Sequence, residues 1–155
     1  MTELLAFSPV PPTVPARVAS IATELERRRQ AVRETFSPEG GINRQAVGGV
    51  LDSTLRAAGF VPGSPATLSP KELDYTSVDL WTAVSIQAGR AMTNNGALLA
   101  VLAAASCPDV DWLILLVPER YKNSATYDAV LRQMKDLEVA AGIRLDLQGA
   151  LLVEY

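Results

Sequence analysis

In the N-terminal part of the chain, hydrophobic positions recur with the three-to-four-residue period of one helix face. The first set predicts a helix that begins at Ala16 and stops before Ser37-Pro38; its members are Val18, Ile21, Leu25, Val32 and Phe36. A second helix is predicted between an N-cap at Asn43 and a terminating Gly59. Residues 1–15 are interpreted as an N-terminal arm, extended over its proline-rich part at 8–15, that packs on another surface.

After a loop at residues 60–69, the hydrophobic pattern changes to that of strands. Residues 73–75 and 80–86 predict a strand pair, in which Val84 and Ile86 face the side opposite to Ser85 and Gln87. The continuous apolar run from 112 to 117 predicts a central strand that is covered on both faces. Residues 143–147 and 150–153 predict a last strand or a hairpin.

Two further helices alternate with these strands. The first is predicted to start at a cap on Thr93 or Asn94 and to be buried, since it is almost entirely apolar. The second, over residues 127–141, is amphipathic. We therefore expect a three-layer α/β domain over residues 16–155 with a small mixed sheet of four or five strands. Its predicted core consists of Val84, Ile86, Leu98, Leu99, Leu102, Leu113, Leu115, Val117, Val130, Met134 and Leu152.

The composition narrows the chemistry that the chain can perform. It contains no histidine, a single cysteine and a net charge of −3. The absence of histidine excludes imidazole acid–base catalysis, Ser-His nucleophile pairs and His-ligated zinc. Carboxylates and amides remain, and their oxygen atoms suit magnesium, manganese or calcium. The negative net charge provides no general attraction for nucleic acid, so any DNA contact requires a local basic patch.

The sequence also bears on location. The N-terminal stretch contains Glu3 and four prolines but no basic region, which is not typical of a signal peptide. The longest apolar stretch, at residues 96–107, is too short to cross a bilayer. A cytoplasmic location without membrane association is therefore expected.

Residues 71–118 combine strand ends with polar residues in a recognisable order. Asp74 lies in the first strand stretch, Ser85 and Gln87 share one face of the next, and Gly89-Arg90 follow. A helix and the apolar strand before Pro118 come after them. This pattern resembles the PD-(D/E)xK restriction-endonuclease-like superfamily, and more closely the BglII-type branch of the type II restriction enzymes. The expected architecture is accordingly a restriction-endonuclease-like core.

The resemblance implies a catalytic set made of Asp74, Ser85 and Gln87. In the family, the aspartate binds a metal ion, usually magnesium, and the amide lies in the same site. The family has a glutamate at the position of Ser85, and a serine hydroxyl is a poor magnesium ligand because it is neutral. Glu72 has the same strand parity as Asp74 and is the best substitute, so the implied metal ligands are Asp74 and Glu72.

Five polar residues are candidates for contact with nucleic acid: Arg90, Asn94, Asn95, Arg120 and Lys122. Arg90 matches the basic residue that trails the family motif. The two asparagines lie at a predicted helix start, where free backbone N–H groups bind anions, although plain helix capping explains them as well. Arg120 and Lys122 follow the central strand, where open α/β sheets often bind ligands.

Three hypotheses for the function follow. The first is a degenerate restriction-endonuclease-like domain that binds nucleic acid or a partner subunit with weak or no phosphodiesterase activity. The second is an active Mg²⁺-dependent DNA endonuclease with Asp74 and Glu72 on the metal and Gln87 orienting water or phosphate. The third is a non-enzymatic interaction protein, in which the arm and the first helix dock on a partner. Family members often dimerise, so the resemblance also suggests a homodimer.

Overall fold

The computed structural model describes residues 1–89 and 91–155, which are organised around a six-stranded mixed sheet. In order across the sheet, the strands are β1 (Thr2–Ala6), β8 (Gly149–Glu154), β5 (Trp112–Val117), β4 (Thr82–Ile86), β3 (Tyr75–Ser77) and β2 (Val61–Pro62). Strands β4, β5 and β8 are parallel to one another, whereas β1, β3 and β2 run antiparallel to their neighbours. A separate hairpin pairs β6 (Arg120–Tyr121) with β7 (Ser124–Ala125).

Helices cover both faces of the sheet. One hydrophobic cluster joins the sheet to α1 (Ala16–Arg27), α2 (Arg29–Arg33) and α3 (Arg44–Ala57), and the other joins it to α4 (Gly96–Ala105) and α5 (Thr126–Glu138). Alternate residues of β5 enter the two clusters, because successive side chains of a strand point to opposite faces. The expected three-layer α/β class and the doubly covered central strand are therefore confirmed, with helices on each side of the sheet.

The sheet is larger than the predicted four or five strands because both of its edges are extended. At one edge, residues 2–6 form β1 and pair with β8, so this part of the predicted arm is a strand instead. Leu5 is fully buried in the core, and this burial stabilises β1 at the edge of the sheet. The predicted last element is the single strand β8, and residues 143–147 lie outside it.

Helix α4 departs from its prediction in both its start and its burial. The residue before the helix is Asn95, in a left-handed conformation (φ 54°) and without a side-chain capping bond, so neither Thr93 nor Asn94 is the cap. The helix turns four of its five alanines and Val101 to the core, whereas its three leucines are only half-buried. Small side chains let the helix approach the sheet closely, and the leucines then fill the flanks of the contact.

The first helical region is divided at Arg28, which separates α1 from α2. The second helix follows its prediction closely: Asn43 caps α3, and its side-chain oxygen accepts from the backbone N–H groups of Gln45 (2.9 Å) and Ala46 (3.3 Å). In residues 1–89 and 91–155, we find no helix with the length and apolar character that spanning a bilayer requires.

The capping role of Asn43 at the start of α3 can be tested by substitution. Replacing Asn43 by alanine is expected to lower the free energy of unfolding by about 1 kcal/mol, because two N–H groups at the start of α3 lose their acceptor. Urea unfolding followed by circular dichroism measures the change. The variant Asn43→Asp keeps an acceptor and is expected to lose little; an equal loss in both variants would contradict a capping role.

Candidate functional site

A cavity of about 440 Å³ lies beyond the carboxyl end of β4. Its polar lining consists of Arg44 from the start of α3, Glu72 from the turn before β3, Gln87 after β4, Asn94 before α4 and Tyr121 in the β6–β7 hairpin. Open α/β sheets bind ligands most often beyond the carboxyl ends of their strands. The position of the cavity therefore makes it the candidate site.

Asp74 and Arg44 form an ion pair at the edge of this cavity. The guanidinium group donates from Nε to Oδ1 of Asp74 at 2.9 Å and from Nη2 to Oδ2 at 2.8 Å. A third donor, the backbone N–H of Ile86, reaches Oδ2 at 2.6 Å and ties the carboxylate to β4. The side chains of Arg44 and Asp74 are 31% and 21% exposed, so solvent screens this pair only partly. Asp74 thus forms a bidentate ion pair with Arg44.

Ser85 and Gln87 share the face of β4 that looks toward α4, as the alternation of the strand predicts. Ser85 is completely buried, Gln87 is 4% exposed, and the Gln87 amide donates from Nε2 to the Ser85 hydroxyl at 2.8 Å. The Gln87 backbone is held as well, since its N–H donates to Leu116 and its carbonyl accepts from the phenol of Tyr155. Burial raises the pKa of Tyr155, which keeps the phenol protonated as a donor.

The predicted nucleic-acid contacts at α4 are close to the cavity. Asn94 lines it, and Asn95 follows directly before the helix; both side chains are exposed. Gly96, the first residue of α4, lies so close to Gln87 that an added Cβ would come within 2.5 Å of Oε1. The start of α4 and the end of β4 therefore form one continuous wall. Arg90 lies outside the described residues, so its predicted contact has no structural counterpart here.

The other two predicted contacts lie in the β6–β7 hairpin, on either side of Tyr121, which lines the cavity. Arg120 and Lys122 are exposed on either side of Tyr121, and the Lys122 ammonium lies 5.6 Å from the centroid of the Tyr121 ring. Lys122 occupies the left-handed region (φ 53°) at the turn of the hairpin, and Arg120 donates to the carbonyl of Asn123 across it at 3.2 Å. Two cations thus flank an aromatic ring at the rim of the cavity.

The resemblance implies that Asp74 and Glu72 bind a magnesium ion. Whether their carboxylates can do so depends on the groups that already contact them. Both oxygens of Asp74 accept from Arg44, and the Glu72 carboxylate lies 3.9 Å from the same guanidinium. Over residues 1–89 and 91–155, no group of three or more acidic or cysteine side chains is placed to hold a metal ion. Magnesium needs near-octahedral oxygen ligation, and an adjacent guanidinium repels it. These residues do not fit a magnesium ion while Arg44 holds Asp74.

A second cleft lies on the other side of the Arg44–Asp74 pair. It is lined by both partners together with Asp52 and Tyr75, and the Tyr75 phenol donates to Asp52 at 3.0 Å. Burial, aided by this hydrogen bond, raises the pKa of Tyr75 to about 12. The phenol is therefore neutral at physiological pH and acts as a hydrogen-bond donor to Asp52.

Sequence reasoning missed two residues that shape the site, Arg44 and Tyr121. Arg44 comes directly after the predicted cap Asn43, and a basic residue beside a capped helix start was the one available signal. Tyr121 lies between the predicted cations Arg120 and Lys122, and an aromatic residue between two cations could have drawn attention to it. Neither signal indicates that Arg44 binds Asp74 or that the Tyr121 ring lies against Gly89.

The fold and the site together define a class: a mixed α/β protein with helices on both faces of its sheet and a polar cavity beyond the ends of its parallel strands. Comparison of the chain with known protein families and with curated proteins found no match. The functional argument therefore rests on the geometry of the site and on the sequence pattern around it.

Proposed function

We propose that this chain is a restriction-endonuclease-like domain that binds nucleic acid without cleaving it. The proposal depends above all on one observation, the two-pronged contact between Arg44 and Asp74. In the family that the sequence resembles, this aspartate binds a metal ion. Here a guanidinium group neutralises it instead, and the neutral Ser85 stands where the family has a second carboxylate.

The loss of cleavage follows from the charges at the site. Hydrolysis of a phosphodiester by this chemistry needs a metal ion that polarises the phosphoryl group and activates water. A guanidinium group supplies positive charge but cannot activate water in this way, since it stays protonated. Ser85 is fully buried and bonded to Gln87, so its hydroxyl is engaged within the protein.

Binding is supported by exposed polar residues near the cavity, at the start of α4 and in the β6–β7 hairpin. Exposed Arg120 and Lys122 offer charge to phosphates, and exposed Asn94 and Asn95 offer amides at the start of α4. The net charge of −3 makes this local group of cations decisive, because the molecule as a whole repels polyanions. We therefore place the nucleic acid across the β6–β7 hairpin and the start of α4.

Binding is tested by charge reversal at the rim. The double variant Arg120→Glu/Lys122→Glu is expected to weaken binding of a labelled DNA duplex, because it replaces two cations by carboxylates that repel phosphate. Each phosphate contact that is lost also makes the dependence of log K on log salt concentration less steep, by about 0.9. Fluorescence anisotropy at several salt concentrations measures both effects. The matched control reverses Arg17 and Arg144, which border clefts away from this cavity, and is expected to change binding much less.

Cleavage is tested on plasmid DNA with magnesium or manganese, comparing wild type, Asp74→Ala and Ser85→Glu. We expect no metal-dependent nicking by the wild type. Nicking that disappears in Asp74→Ala would instead establish an active nuclease, in which a metal ion displaces Arg44. Activity gained in Ser85→Glu would identify a nuclease scaffold that lacks one carboxylate. A wild type that binds no DNA and forms a concentration-dependent oligomer would favour the interaction protein.

A further inference from the structure

The ring of Tyr121 forms a flat wall of the cavity. It lies so close to Gly89 that an added Cβ on this glycine would come within 2.1 Å of two ring carbons. Only glycine admits a ring at that distance, so the position of the ring depends on the backbone beneath it. Tyr121 lies in the short β6–β7 hairpin and is half-buried. The cavity therefore contains an aromatic surface with a defined place.

A rigid hydrogen-bonding group faces the same space. Gln87 is 4% exposed and lines the cavity, and its Nε2 donates to Ser85, which directs Oε1 toward the start of α4. Among the hydrogen bonds of the described residues, none reaches Oε1. Since Gln87 lines the cavity, its carbonyl oxygen can accept a hydrogen bond from an N–H group of a ligand.

The charge of the lining limits the ligand. Arg44 brings one positive charge to the wall, but its contact with Asp74 already neutralises it, and Glu72 lies in the same wall. A small anion would meet the Glu72 carboxylate and the Oε1 acceptor together. A flat, neutral group with N–H donors and ring faces suits this lining better, and the volume of about 440 Å³ lies in the range of small-ligand pockets.

We propose that this cavity takes a single unpaired nucleobase of a bound DNA strand, with the base stacked on Tyr121 and one of its N–H groups donating to Gln87. This inference rests on the proposed function, since the strand is held by the surrounding cations. The Lys122 ammonium lies over the ring, 5.6 Å from its centroid, so a stacked base takes its place and leaves the ammonium to pair with a backbone phosphate of the strand. Stacking on aromatic side chains is how proteins commonly hold unpaired bases.

The test compares three labelled duplexes: one fully paired, one with a single bulged adenine, and one with an abasic bulge at the same place. Fluorescence anisotropy is expected to show the bulged adenine bound about tenfold more tightly than the abasic bulge, which is the usual effect of one stacked base. The variant Tyr121→Leu is expected to lose this difference, and Tyr121→Phe to keep it. Trp81→Leu removes an exposed aromatic side chain before the start of β4 and is expected to leave the difference unchanged.

The outcomes separate this inference from the function on which it rests. Equal affinity of the wild type for all three duplexes overturns the nucleobase site and leaves DNA binding in place. A wild type that binds none of them overturns both. A preference for the bulged adenine that survives in Tyr121→Leu overturns the role of the ring. Because the first comparison uses only the wild type, the inference remains testable even where the leucine variant is unstable.

Discussion

Replacing Arg44 by leucine is expected to lower the free energy of unfolding by about 2–3 kcal/mol, somewhat below the loss for breaking a fully buried ion pair. The change removes three hydrogen bonds, two to the carboxylate of Asp74 and one to the backbone carbonyl of Glu72. Among residues 1–89 and 91–155, the backbone N–H of Ile86 is then the one donor left to Asp74, whose side chain is just 21% exposed. A poorly solvated carboxylate then lacks its counter-charge. Urea unfolding measures the loss.

The chain contains a matched control for this prediction. Arg56 and Asp52 also form an Arg–Asp pair, with Nε and Oδ2 2.7 Å apart, but their side chains are 55% and 37% exposed on the surface of α3. Replacing Arg56 by leucine is therefore expected to change stability by less than about 1 kcal/mol. A double-mutant cycle of Arg44→Leu with Asp74→Leu isolates the coupling between the partners. Equal losses in the two single arginine variants would contradict a special role for the Arg44–Asp74 pair.

This pair also links stability to function. A guanidinium group satisfies a carboxylate with two parallel hydrogen bonds and needs no metal ion to do so. Under the proposed function, Arg44 supplies at Asp74 the positive charge that a metal ion supplies in the family that the sequence resembles. The backbone N–H of Ile86 donates to Asp74 from β4 as well.

Replacing Gly149 by alanine is expected to destabilise the protein by about 2–3 kcal/mol, the upper part of the range for added volume in a packed core. Gly149 begins β8 between β1 and β5, and an added Cβ would lie 2.5 Å from the carbonyl oxygen of Leu5 and 3.1 Å from the ring of Trp112. The first clash is with backbone, which moves only if β1 shifts. Thermal unfolding measures the loss.

The opposite result is expected at Gly49, and it serves as the control. A Cβ at this exposed position in α3 meets nothing within 4 Å. Alanine there is expected to raise the free energy of unfolding by about 0.5–1 kcal/mol, because glycine in a helix interior loses more conformational freedom on folding. A loss at both positions, or at neither, would contradict the steric account of the β1–β8 edge.

The sequence identified much of the local structure. The capped start of α3 was predicted from Asn43, and the central strand β5 from its apolar run. It also suggested that Ser85 and Gln87 share one face of β4, which their hydrogen bond confirms. These features depend on residues close together in the chain, whose spacing alone sets the period of a helix or a strand.

Contacts between residues far apart in the sequence depend on the tertiary structure. Leu5 is buried in the core because β1 pairs with β8, and the pattern of residues 2–6 does not predict that pairing partner. Arg44 meets Asp74 across thirty positions of sequence, and Tyr121 meets Gly89 across a helix and a strand. Periodicity in a sequence encodes which face of an element is buried, but the partner of that face depends on how all the elements pack together. The candidate site is made of such contacts, so the sequence predicted some of its residues, such as Gln87 and Asn94, but neither Arg44 nor Tyr121, and it did not predict how the residues are arranged.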